Sequence, residues 1–148
     1  RGISASLAIA GDGPERDLLE KEAREKLAGG FAFAGALPHA HTLSAMREAD
    51  VFVLDSAYEG LSHVLIEALD SGAAIVASDI PGNREVIEHE KNGLLVHPGD
   101  AEALAHALER LLSHEPLRAQ LAAAAKKRAR DFSRQSMLDA VAELFKTI

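Results

Sequence analysis

The 148-residue sequence predicts a single α/β domain, a parallel sheet with helices on both faces. Three observations carry that prediction. Short apolar runs alternate with longer amphipathic stretches, the order expected of strand–helix–strand units. The apolar runs are almost bare of polar residues, as strands covered on both sides are. Residues that start and stop helices stand at the joints between the two kinds of segment.

The elements follow in order. Ser6-Leu7-Ala8-Ile9-Ala10 reads as a buried strand ending in the turn Gly11-Asp12-Gly13-Pro14. Proline suits a helix start, where its missing N–H costs no bond. Residues 14–28, with Leu18, Leu19 and Leu27 among many charges, predict an amphipathic helix that Gly29-Gly30 stops. Phe31-Ala32-Phe33-Ala34 is the second strand, residues 42–49 a short helix, and Val51-Phe52-Val53-Leu54 the third strand. Residues 62–71 place Val64, Leu65, Ala68 and Leu69 at helical core spacing, and Gly72 ends that helix. Ala74-Ile75-Val76-Ala77 is the fourth strand, residues 83–89 a helix of one or two turns, and Gly93-Leu94-Leu95-Val96 the fifth strand. Asp100 can accept from free N–H groups and cap a helix to about Ser113. Two further helices span residues 115–131 and 133–147, the first through the alanine-rich, strongly helix-forming stretch 121–125.

Composition removes several function classes. Apolar residues make up 47% and charged residues 26%, an ordinary globular balance. The net charge of -7 makes the chain a poor general binder of nucleic acid, whose phosphates supply most of such affinity. There is no cysteine, so thiolate metal sites and disulfides are excluded, which is compatible with the cytosol. No apolar run approaches the 18 residues of a membrane span, and the start, from Arg1 to Ser6, lacks the apolar core of a signal peptide. The seven histidines are scattered without a His-x3-His pair or carboxylate triad, so no metal is expected. Gly11-x-Gly13 lacks the third glycine of a dinucleotide fingerprint, because Arg16 stands there, so no nicotinamide cofactor is expected. Asp12, Glu15 and Arg16 are left with turn and cap roles.

Ligands of open parallel sheets bind beyond the carboxyl ends of the strands. Five loops lie there: 11–14, 35–41, 55–61, 78–83 and 97–100. The third, Asp55-Ser56-Ala57-Tyr58-Glu59-Gly60-Leu61-Ser62, leads straight into a helix. A helix start offers unpaired N–H groups and partial positive charge, a ready site for a phosphate. Gly60 has no side chain to hold a phosphate away, and Ser62 can cap the helix or donate to the ligand. Glu67, in the second turn, could accept two hydrogen bonds from a ribose diol, and Glu59 could do the same for sugar hydroxyls. Two carboxylates flanking an anion-binding helix start suggest a nucleotide sugar. Spacing alone fits equally a solvated loop glutamate at 59 and a surface helix glutamate at 67.

The stretch Glu59-Gly60-Leu61-Ser62-His63-Val64-Leu65-Ile66-Glu67 resembles the Glu-x7-Glu signature of retaining group 1 glycosyltransferases, often called family 4. The likeness extends along residues 7–147 in the right order. Gly11-Asp12-Gly13-Pro14 is similar to the family's turn after its second strand, and Phe33-Ala34-Gly35-Ala36-Leu37 to its Phe-x-Gly-x-Val/Leu segment. Ala49-Asp50-Val51-Phe52-Val53 is similar to its strand entry. The stretch from Ala77 to Glu85 resembles its Thr-Asp-Val-Gly-Gly-x-x-Glu segment, and that from Asn92 to Asp100 its closing strand and cap.

The resemblance implies the C-terminal, donor-binding half of a two-domain, Rossmann-like (GT-B) architecture spanning residues 1–148, with residues 133–147 as the helix that crosses back. It implies that Glu59, the catalytic candidate, faces the donor sugar hydroxyls and that Glu67 binds the ribose. The backbone at Gly60, Leu61 and Ser62 would hold the distal phosphate, Leu37 would lie beside the base, and Gly82 near the sugar and phosphate. It implies no tightly bound metal and no cofactor, the nucleoside-diphosphate sugar being a substrate. Departures are Pro81 where glycine is frequent, Asp55 for proline, Asp70 for alanine and His63 for asparagine or glycine; none removes a proposed ligand group.

The family's Gly-Arg and Lys-Gly segment and its acceptor-binding domain are not in these residues, so the chain alone is expected to transfer no sugar to a sugar or lipid-linked acceptor. Without that first strand, the first and third strands here would be exposed apolar edges, which upstream residues or another chain would complete. Lys126-Lys127-Arg128-Ala129-Arg130 either complements a helix dipole or touches a membrane surface. The expected location is cytoplasmic, extended to the inner membrane face if the second reading holds. A non-catalytic nucleotide- or partner-binding module of the same fold is the second reading, and another enzyme of the same two-domain architecture, such as a sugar-nucleotide epimerase, is a third that the Glu-x7-Glu pair disfavours.

Overall fold

The computed structural model describes residues 3–27 and 29–146, without the side chains of residues 137, 140 and 141. Arg1, Gly2, Ala28 and Thr147, and the side chains of Met137 and Val141 on the apolar side expected of the last helix, lie outside the described residues.

The elements alternate as expected: β1 (Leu7–Ala10), α1 (Arg16–Lys26), β2 (Phe31–Gly35), α2 (His39–Glu48), β3 (Val51–Leu54), α3 (His63–Ser71), β4 (Ala74–Ser78), α4 (Pro81–Val86), β5 (Leu94–Val96), α5 (Ala101–Ser113), α6 (Glu115–Arg128) and α7 (Arg134–Lys146), with a 3-10 turn at Ala129–Phe132. Every strand pairing is parallel. The chain forms two compact units, residues 1–45 and 46–148.

In the first unit β1 pairs with β2, Leu7 opposite Phe31, with the register shifting between Ile9 and Ala10. The shift coincides with Gly35, whose φ of 67° is left-handed and whose missing side chain leaves room for the Arg16 guanidinium. Arg16 donates from Nη2 to the Phe33 carbonyl at 3.3 Å and from Nε to Glu20 at 3.0 Å, and lies 3.7 Å from Asp12. Its role is to tie turn, helix and strand together. Pro14 stands in the turn ahead of α1 and not in it, because Glu15 is the cap residue. Phe31 and Phe33 meet edge to face at 6.2 Å.

The core lies in the second unit. There β4 is central, paired with β3 (Leu54 opposite Ala77) and β5 (Ser78 opposite Val96), and every residue of it is buried. Ala74 and Val76 on one face pack with Leu94, Val96, Ala107, Leu111 and Leu121, joining the strands to α5 and α6. Ile75 and Ala77, pointing the other way, are equally buried, so both faces of β4 are covered.

Burial on both sides does not extend to all five strands. β1, β2 and β3 are partly exposed, with Leu7 and Val53 open to solvent. Each sheet leaves an edge: β1 has only β2 and β3 only β4 as strand partner among the described residues.

Candidate functional site

The β3–α3 loop, residues 55–62, takes its position from strand register and from three elements of the second unit. Leu54 is paired with Ala77, so the first loop residues run beside Ser78 at the end of β4. Ser78 is fully buried, and its hydroxyl donates to the Ser56 carbonyl at 2.6 Å. Asn83 of α4, also fully buried, donates from Nδ2 to the Ser78 carbonyl at 2.9 Å and to the Ser78 hydroxyl at 3.1 Å. The Ser56 hydroxyl donates to Glu59 Oε1 at 2.9 Å.

Gly82 closes the loop from the other side. A Cβ placed there would stand 1.8 Å from the Gly60 carbonyl oxygen and 2.5 Å from that of Glu59. No side chain fits, so Gly82 is required by the backbone that crosses it. The reverse holds at Gly60. There a Cβ would meet no atom within 4 Å, and the backbone is not left-handed. The fold does not demand glycine at position 60, and the space over it is open.

Helix α3 begins at His63, three residues after this open glycine. Ser62, buried, is its N-cap, and its hydroxyl accepts from the Leu65 N–H at 3.4 Å. The helical ladder begins with Ile66 N–H to the Ser62 carbonyl at 3.2 Å, so the N–H groups of His63 and Val64 precede it, as the first donors of any helix do. Gly72, with φ of 93°, ends the helix in the left-handed conformation. Leu65, Ala68 and Leu69 bury one side of α3. Glu67 lies on another side, half-buried, one turn beyond exposed His63. Tyr58 and Leu61, on the loop, are exposed.

The structure therefore brings Glu59, Gly60, Ser62 and Gly82 together at one helix start, with Glu67 on the same helix. Leu37 is in the first unit, half-buried in the loop after β2. Pro81 is not a loop residue: it occupies the first helical position of α4, where a missing N–H removes no bond. Helix α4 therefore starts at 81 and not at 83, and it ends at Val86 and not at 89, with Ile87 extended. Arg84 of α4 grips Asp79 with two hydrogen bonds, 2.6 and 3.0 Å, and holds the Asp79 carboxyl below the usual aspartate range.

Ser56, Ser78 and Asn83 escaped the sequence reading. One signal for Ser78 was present: it is the polar residue that closes an apolar run.

Other candidate regions resolve differently. Arg128 of the basic cluster donates to Asp131 and to the Glu85 carbonyl and lies 5.1 Å over the Phe132 ring, so it serves local packing. A cleft of about 460 Å³ is lined by Glu88, Lys91, Lys127, Arg128 and Asp131, among others, and by none of the candidate donor residues. Among the described residues no group of three or more His, Asp or Glu could hold a metal, and no helix is long and apolar enough to cross a membrane.

Comparison with known proteins identifies the fold around this loop. The family model for glycosyl transferases group 1 matches residues 1–128. The chain belongs to that family. Among group 1 relatives, the lipopolysaccharide core biosynthesis glycosyltransferase LpsE of Rhizobium meliloti is 34% identical over 140 residues, 93% of this chain and 41% of LpsE. The chain thus spans about two fifths of that relative's length. Anabaena HepE, solved in complex with UDP, superposes with a TM-score of 0.84 at 25% identity, over 97% of this chain and 41% of HepE. The C-terminal domain of a group 1 glycosyl transferase, LpcC from Francisella tularensis, superposes with a TM-score of 0.75 at 25% identity, over 85% of this chain and 68% of that domain. The group 1 chain is α/β and Rossmann-like, one half of a GT-B fold.

Proposed function

We propose that the chain is the C-terminal, donor-binding domain of a retaining glycosyltransferase that moves a sugar from a nucleoside-diphosphate sugar to an acceptor hydroxyl. One observation carries the reading: Gly60 is uncovered in the loop just ahead of α3 though the fold does not require glycine there. A bare backbone beside a helix N-terminus suits a phosphate, which can approach the N–H groups of residues 60–62 and the positive end of the helix. Glu59 before that point and Glu67 after it are hydroxyl acceptors in reach of the two sugars that flank a diphosphate. In this reading Glu59 takes hydroxyls of the donor sugar, Glu67 the ribose diol, and Gly82 lies near the sugar–phosphate junction. The UDP complex of HepE and the length spanned by the LpcC C-terminal domain support the same assignment.

Calorimetric titration with UDP, GDP and ADP and their hexose conjugates tests it. Glu67→Ala is expected to weaken nucleotide and nucleotide sugar alike, by roughly tenfold or more, as loss of hydrogen bonds to an ionised acceptor implies. Glu59→Ala is expected to weaken only the sugar-bearing ligand. Parent-like binding by both variants would refute the assignment.

A further inference from the structure

We propose that Ser56 is a positioning residue that orients the Glu59 carboxylate toward the donor sugar, and that Ser78 and Asn83 hold Ser56 in place. The inference rests on the reading of Glu59 given above.

The Ser56 hydroxyl donates to Glu59 Oε1 at 2.9 Å, and no other partner of that carboxylate is found among the described residues. A glutamate has three side-chain torsions and is costly to order on a loop. One hydroxyl bound to one oxygen favours one orientation of the carboxylate and leaves the second oxygen to accept from a ligand. The hydroxyl can do this only if its own backbone is fixed.

Two fully buried side chains from other elements fix it. Ser78 donates to the Ser56 carbonyl at 2.6 Å, and Asn83 donates to Ser78 twice, at 2.9 and 3.1 Å. The other flank of Glu59 is held by Gly82, which passes within Cβ distance of the 59 and 60 carbonyl groups. Exposed Ala57 and Tyr58 lie between these two constraints. A turn needs no such support merely to close. The arrangement restrains the residue on each side of the span that carries Glu59, as a preorganised binding group requires.

The test is calorimetry of the protein and of Ser56→Ala, Ser56→Thr and Glu59→Ala with UDP-glucose and UDP, GDP-mannose and GDP, and ADP-glucose and ADP. For the nucleotide sugar that binds, Ser56→Ala is expected to weaken affinity by about tenfold, the effect of one hydrogen bond to a charged group. The matching nucleoside diphosphate should bind Ser56→Ala as it binds the parent. Ser56→Thr, which keeps the hydroxyl, should restore the sugar form to within about twofold. A purely structural serine would affect both ligands or neither, and threonine would not restore the difference. If Glu59→Ala weakens the sugar form and Ser56→Ala does not, the positioning role is overturned and the donor site stands. If Glu59→Ala binds every ligand as the parent does, or if none of the six probes binds, the donor site falls and the positioning role with it.

Discussion

Two glycines meet at the candidate site for opposite reasons. Gly82 is glycine because the Glu59–Gly60 backbone crosses its Cα so closely that a methyl group would sit 1.8 Å from a carbonyl oxygen. Gly82→Ala forces that backbone apart, an overpacking penalty of about 1–3 kcal/mol or more, and should lower the thermal midpoint clearly. Gly60→Ala adds its methyl group to open space on an ordinary backbone, so stability should stay within roughly 0.5 kcal/mol of the parent's. It should nonetheless weaken nucleoside-diphosphate binding, because the methyl group occupies the approach to the α3 N-terminus. A Gly60→Ala variant that binds like the parent would remove the phosphate from position 60. Residue chemistry was legible here only in part. Gly60, Ser62, Glu59 and Glu67 stand within nine residues and share one local pattern. The requirement at Gly82 and the bond from Ser78 to Ser56 join residues 22 or 23 positions apart, which no local periodicity reports.

Among the elements, those with both a periodic apolar face and terminal chemistry match their sequence limits most closely. β3 is residues 51–54 as expected, α3 has Ser62 and Gly72 at its ends, and α5 is capped by Asp100, which accepts from Ala103 at 2.9 Å. Boundaries moved where a residue has two uses. Pro81 was read as a loop residue and instead starts α4, while Pro14 was read as a helix start and stands in a turn. The expected helix 115–131 ends at Arg128, and the chain tightens into a 3-10 turn in which Arg128 pairs with Asp131. The two-point contact from Arg84 to Asp79 ties α4 to the end of β4 and makes this element sensitive to acid. The Asp79 carboxyl titrates below its unfolded value because Arg84 hydrogen-bonds its charged form. Its contribution is therefore present above the ordinary aspartate range and is lost as pH falls through the lowered value. The effect is small, since both side chains are substantially exposed and salt screens them. Asp79→Asn should flatten the acid limb of a midpoint-versus-pH curve and leave the neutral range little changed. An unchanged acid limb would show that the pair does not act this way.

Across the whole molecule, the parallel pairing was legible from the alternation of apolar runs with amphipathic helices. The depth of burial was not. Five similar apolar runs suggest equal cover, yet among the described residues only β4 is buried at every position, and it is the strand with a neighbour on each side. Apolar composition states what a strand can bury; the elements packed on its faces decide what it does bury, as α5 and α6 do for β4. At the carboxyl ends of β3 and β4 lie the loop that carries Glu59 and the helix α4 that carries Gly82. A net charge of -7 opposes anions generally, so an anion must be won locally, at a helix start with its own field. Heteronuclear NMR of the protein titrated with UDP, GDP and ADP reads that locality directly. The nucleotide that binds should shift the backbone amides of Gly60, Leu61, Ser62 and Gly82 first and most, leaving Lys91 and Lys127 at the cleft of about 460 Å³ unmoved. Shifts centred on Lys91 and Lys127, with Gly60 to Ser62 silent, would contradict it.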